Sequence, residues 1–131
     1  MVYTELGEMS KRYRNGIIEA INKIIDMNIE NLSEIILFGS CAKLDIRVGS
    51  DIDLLIVTES DITDRLFKSQ IIDNLDDLES GIEVDPVFAT EDTLRKSEQR
   101  LFAYIRKEGI VMWKDGEYTD EYKQLLCPGK K

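Results

Sequence analysis

Two carboxylates separated by one residue, Asp51 and Asp53, open an apolar run that continues from Leu54 to Val57. Side chains in an extended strand alternate between faces, so this pair is expected to project in the same direction. Carboxylates held side by side repel each other unless a cation sits between them, and an unpaired buried charge costs on the order of several kcal/mol. Oxygen ligands without His or Cys suit magnesium or manganese. Upstream, a shorter apolar run from Ile35 to Phe38 ends in Gly39-Ser40, with ten residues between Ser40 and Asp51. A small turn carrying a hydroxyl lets a phosphate approach exposed backbone N–H groups. Each feature also has an ordinary reading. Asp-x-Asp occurs at solvated turns, and Gly-Ser closes strand-to-helix turns with Ser as the cap. Asp85 alternates with Ile82, Val84 and Phe88 in a third apolar stretch. Alone it reads as an exposed strand-end residue beside Pro86; it joins the acidic pair if its strand neighbours the second.

Composition narrows the chemistry further. The 131-residue chain has no histidine, which excludes Ser-His-Asp and Cys-His catalysis and His-ligated zinc within it. A net charge of −9 argues against direct nucleic-acid binding through a broad basic surface. It is compatible with nucleotide binding, because a divalent cation offsets both carboxylates and phosphates. No apolar stretch is long enough to span a membrane and no signal-peptide pattern opens the sequence. Two cysteines in unlike contexts, Cys41 and Cys127, fit a reducing, cytoplasmic setting rather than a disulfide framework. Cys41 follows the proposed phosphate turn, so a thiol reagent is expected to compete with nucleotide there.

These residues need elements to position them. Apolar residues from Met9 to Ile25 recur at helical spacing, predicting a helix over 6–27, with Lys11, Arg12 and Arg14 on a solvated face. Ile35–Phe38 and Ile52–Val57 read as strands covered on both faces. A helix is expected over 61–78, capped by Ser60, with Ile62, Leu66, Ile72, Leu75 and Leu78 inward. A third strand spans Ile82–Phe88, where Pro86, unable to donate to a ladder, points to a sheet edge, a bulge or the strand's end. Thr90 caps a helix expected over 91–107, with Leu94, Leu101, Phe102 and Ile105 inward and Arg95, Lys96, Arg100, Arg106 and Lys107 decorating its surface. Ile110–Trp113 predicts a short strand, Lys114 to Glu117 a turn, 119–126 a last helix and 127–131 a frayed tail. This order implies an α/β (α+β) domain with a small mixed sheet flanked by helices, and no boundary divides 1–131.

Gly39, Ser40, Asp51 and Asp53 at this spacing, with Asp85 as a third carboxylate, resemble the nucleotidyltransferase superfamily of DNA polymerase beta and kanamycin nucleotidyltransferase. The chain is most similar to the stand-alone minimal nucleotidyltransferases, written G-S-x10-D-x-D, including the MntA-like antitoxins. The resemblance runs from Ile35 to Trp113. Where the family often has Ala-Arg-Gly after Gly-Ser, this chain has Ala42-Lys43-Leu44. The resemblance implies a nucleotidyltransferase fold and two magnesium ions, manganese being an alternative, held by Asp51, Asp53 and Asp85. It also implies that Gly39 and Ser40 hold the β- and γ-phosphates of ATP, with Lys43 and Arg47 as candidates for extra charge.

The acceptor is a separate question. The chain has little length for an acceptor domain, and minimal members of the family often pair with a helical HEPN protein. The leading expectation is an antitoxin that transfers AMP from ATP to a tyrosine of a HEPN ribonuclease toxin. Two other classes stay open: a non-catalytic antitoxin that blocks its partner sterically, and a homodimeric adenylyltransferase acting on a small, antibiotic-type hydroxyl.

Overall fold

In the computed structural model, which describes residues 6–47 and 49–126, the apolar run before Gly39 becomes strand β1, Leu32–Phe38. Its residues from Ser33 onward are buried, as a strand covered on both faces requires. β2, Ile52–Thr58, lies antiparallel beside it, and β3, Val84–Thr90, runs parallel to β2. On the other side β1 pairs with β4, Ile110–Lys114, which turns into the two-residue β5, Glu117–Tyr118. The mixed sheet has the order β3-β2-β1-β4-β5, so Pro86 does sit on an edge strand. The β4–β5 hairpin turns at Asp115 and Gly116, both at positive φ, the conformation that a two-residue hairpin loop of Asp-Gly favours.

One sheet face is sealed by helices α1, Lys11–Asp26, α3, Arg65–Leu75, and α6, Asp120–Leu126. Ile17, Ile21 and Ile24 of α1 pack there with Ile71, Leu75 and Leu125 against Ile35, Leu37, Ile52, Leu54 and Ile56. The other face carries a smaller cluster. Ile36, Phe38, Leu55, Val57 and Ala89 meet Leu94 of α4, Glu91–Lys96, and Phe102 and Ile105 of α5, Arg100–Glu108.

Several boundaries differ from the periodic reading, each for a local reason. The first helix starts at Lys11 because Ser10 caps it, accepting from the Tyr13 amide; Leu6–Glu8 is a separate 3₁₀ turn. Asp64, not Ser60, caps α3, its carboxylate accepting from the Leu66 and Phe67 amides at 3.0 and 3.1 Å. The Ser60 carbonyl instead accepts from the Thr58 hydroxyl. With that start, α3 turns Ile71 and Leu75 inward and leaves Leu66 69% and Ile72 39% exposed. The helix expected over 91–107 is two helices. Residues 97–99 break out of helical geometry, and Arg106 folds back to donate to the Leu94 carbonyl at 2.7 Å. Leu101 is partly exposed as a result. Arg95 is exposed, as expected of surface decoration, and pairs at 3.2 Å with Glu34, a carboxylate buried in β1. The expected tail at 127–131, with Cys127, lies outside the described residues. Among the described residues no helix is long and apolar enough to cross a membrane.

Candidate active site

The chemistry-bearing residues meet where β1 ends and β2 and β3 begin. Asp53 is the second residue of β2, opposite Phe38 on β1 and Asp85 on β3. Residues paired in register on neighbouring strands share a face, so Asp53 and Asp85 stand side by side. Asp51 lies two residues before Asp53 and extends the same row. This is the face of Leu55 and Val57, but α4 and α5 cover those residues and leave the acidic end more open. Asp53 is half-buried and Asp85 exposed.

Gly39 begins the four-residue helix α2, Gly39–Ala42, at φ +75°, where side-chain-bearing residues are strained. A Cβ at this position would lie 3.0 Å from the Asp53 Cγ and overlap its Oδ2. The Gly39 backbone therefore packs directly on the Asp53 carboxylate, and only glycine fits. Ser40 follows, half-buried, its carbonyl accepting from the Asp45 amide at 3.0 Å.

Burial, then the neighbouring Asp85 and Asp51 charges, push Asp53 up to about 6. Burial followed by the Asp53 and Asp51 charges pushes the Cys41 thiol up to about 12. Cys41 is fully buried. The expectation that a thiol reagent would compete with nucleotide at this residue is thereby corrected: a sealed, protonated thiol is a poor target.

Lys43 is exposed, and its ammonium sits 5.1 Å from the centroid of the Tyr104 ring, a cation–π distance. Arg47 pairs with Asp45 at 3.3 Å on an exposed loop. Leu44, in place of the glycine that the resemblance leads one to expect, adopts φ +60°. Tyr13 makes a contact at the site that sequence reasoning did not anticipate. It lies in the apolar register of the first helix, is buried as that spacing implies, and donates its hydroxyl to the Ser50 carbonyl. Helical spacing signals its burial, but nothing local signals a partner 37 residues away.

The site is an open row of oxygens. Among the described residues no three His, Cys, Asp or Glu side chains form a ready-made metal cage. The donor set nevertheless fits a hard cation: carboxylates only, with one held above its ordinary range by burial and then by like charges that a cation would neutralise. A cavity of about 400 Å³ lies elsewhere, between residues 28–31 and 60–64 at the far end of β2. It is remote from this row, whereas a second cavity of about 370 Å³ is lined by Tyr13, Ser50 and Asp51.

Comparison with known proteins gives a consistent picture. The family model described as polymerase beta, nucleotidyltransferase, matches residues 19–117, which contain all the residues above except Tyr13. No curated protein matches significantly. A crystal structure of a toxin–antitoxin complex with AMP-PNP is similar at 27% identity over 81% of this chain and 81% of that one, with a TM-score of 0.54. A toxin–antitoxin MntA–HpeT variant, with two aspartates exchanged for glutamate, is similar at 25% identity over 81% and 80%, with a TM-score of 0.51. A candidate nucleotidyltransferase from Sulfolobus solfataricus shares the fold at 18% identity over 82% and 91%, with a TM-score of 0.53.

Proposed function

The chain belongs to the polymerase beta nucleotidyltransferase family, and from this premise we propose that it transfers AMP from ATP to a hydroxyl, that of a tyrosine on a HEPN toxin to which it is the antitoxin. The observation that carries the reading is the row Asp51, Asp53 and Asp85, with the Gly39 backbone packed against its centre. The two toxin–antitoxin complexes support a toxin as the partner, and AMP-PNP in one of them supports an adenine nucleotide. In the other, the exchanged aspartates are separated by one residue, the spacing of Asp51 and Asp53. Residues 1–131 act in this reading as one nucleotidyltransferase unit.

Each residue then has a task. Asp51, Asp53 and Asp85 would hold magnesium or manganese, which when bound neutralises charge on the phosphates and on the leaving pyrophosphate. Asp85, the most exposed of the three, faces the acceptor and takes the proton from its hydroxyl. The freed oxygen attacks the α-phosphorus in line, the bond to the β-phosphate oxygen breaks, and pyrophosphate leaves. Gly39, without a side chain, lets the β- and γ-phosphates approach the turn, and Ser40 donates its hydroxyl to them. Lys43 swings from Tyr104 to add positive charge.

A second reading draws on Leu44: a β-carbon-bearing residue in a left-handed turn beside the phosphate loop favours a chain that blocks its partner without catalysis. One experiment separates the two. The chain is incubated with ATP, magnesium and a HEPN partner, and the partner is weighed by mass spectrometry. A gain of one or more AMP groups, lost in Asp51→Ala, is the expected result. No gain, with toxicity still neutralised by both wild type and Asp51→Ala, would establish the steric reading instead.

A further inference from the structure

Three consecutive residues leading into β2 are held by three different parts of the molecule. The Tyr13 hydroxyl, in the first turn of α1, donates to the Ser50 carbonyl at 2.6 Å. The Cys41 thiol, in α2, donates to the Asp51 carbonyl at 3.6 Å. The Ile52 amide donates to the Glu83 carbonyl, just ahead of β3, at 2.9 Å. Ser50 is tied down further by Arg47, whose amide donates to the Ser50 Oγ at 2.8 Å and whose carbonyl accepts from the Ser50 amide at 3.0 Å.

The Ser50 carbonyl belongs to the peptide plane before the Asp51 Cα, and the Asp51 carbonyl to the plane after it. A peptide unit is planar, so pinning both planes fixes φ and ψ of the residue between them, and with them the direction of its Cβ. We infer that Tyr13 and Cys41 are positioning residues that aim the Asp51 carboxylate along the row of Asp53 and Asp85. Packing alone does not account for them. Tyr13 is 8% exposed within the larger core, where phenylalanine would fill the same apolar volume. What its hydroxyl adds is the bond to Ser50. Cys41 likewise spends a buried donor on the backbone of a loop, where a satisfied buried bond orders the groups it joins. Asp51 precedes the first residue of β2, so the ladder alone leaves its backbone partly free.

The anchoring stands on geometry; its effect on catalysis rests on the transferase reading. The test compares Tyr13→Phe, Cys41→Ala and Cys41→Ser with wild type in three readouts: amide exchange at residues 49–53, manganese affinity by electron paramagnetic resonance, and kcat and KM for ATP. Tyr13→Phe and Cys41→Ala are expected to speed exchange at 49–53 by about tenfold, with β1 and β4 unchanged. Manganese affinity and kcat are expected to fall by about tenfold with KM for ATP little altered. Cys41→Ser, which keeps a donor, should return toward wild type. Wild-type exchange and manganese affinity in Tyr13→Phe overturn the inference. If wild type itself neither binds manganese nor transfers AMP, the transferase reading fails on its own. The exchange data then decide the anchoring: faster exchange in Tyr13→Phe upholds it and unchanged exchange overturns it.

Discussion

Along β2, two stretches of one strand face the same side of the sheet with opposite character. Leu55 and Val57 are fully buried beneath α4 and α5, while Asp53, and Asp51 just ahead of the strand, look out from the same face. The break at residues 97–99 returns α5 over the apolar stretch, where Phe102 and Ile105 join Ile36 and Leu55. The opposite face of the sheet is closed along its length by α1, α3 and α6. Stability is thus concentrated where the sheet is sealed, which lets the open end tolerate three neighbouring carboxylates whose mutual repulsion works against folding.

The largest effect that tests this contrast is on function. Asp53→Ala is expected to lower AMP transfer by a factor on the order of 10³ or more, while circular dichroism stays that of wild type. Transfer within tenfold of wild type would remove the open end from the chemistry. Two residues along, Leu55→Ala should cost about 2–5 kcal/mol of stability in urea unfolding, because it empties a fully buried site. A loss below about 1 kcal/mol would mean that α4 and α5 do not seal that stretch. Gly39→Ala should cost about 2 kcal/mol, combining left-handed strain with overlap onto Asp53, and should lower transfer as well. An unaffected melting curve would show that the turn lies farther from Asp53.

The smallest effect has the opposite sign. Asp53 titrates at about 6 rather than 3.8, so the folded state holds its proton more tightly than the unfolded chain does. This contribution favours folding fully below pH 3.8 and is lost as pH rises through about 6. Without divalent metal, Asp53→Asn should therefore be more stable than wild type at pH 7.5, by about 1–2 kcal/mol after allowing for the solvent that reaches this half-buried group. The gain should shrink toward pH 4. Urea melts in EDTA at both pH values measure it, and a difference that does not change with pH would break the link between the open end and its charge.

The elements were legible where periodicity was long or apolar runs were continuous. β1, β2, the strand carrying Pro86 and the Asp115-Gly116 turn follow from local pattern alone, because alternation and turn chemistry act within a few residues. Misreadings came where two local signals competed. Asp64 caps α3 where Ser60 was expected, and Ile71, rather than Leu66 and Ile72, packs inside. The break at 97–99 was hidden because residues on both sides suit helices; packing of Phe102 and the Arg106–Leu94 bond decide it. Glu34 and Arg95 illustrate the same limit, since an ion pair between a buried carboxylate and an exposed arginine 61 residues away leaves no local trace.

What the sequence determined by itself was the kit: Gly39-Ser40, ten residues, Asp51-x-Asp53 with both carboxylates on one side, no histidine, and a later strand bearing Asp85. Spacing is enough for that, because strand alternation is a local consequence of backbone geometry. Only the tertiary structure decided that β3 lies parallel to β2 in the register that sets Asp85 beside Asp53, that Gly39 presses on that carboxylate, and that Tyr13 and Cys41 reach the backbone around Asp51. Register and long-range contacts are chosen by which faces the whole chain can bury together, and no window of neighbouring residues contains that information.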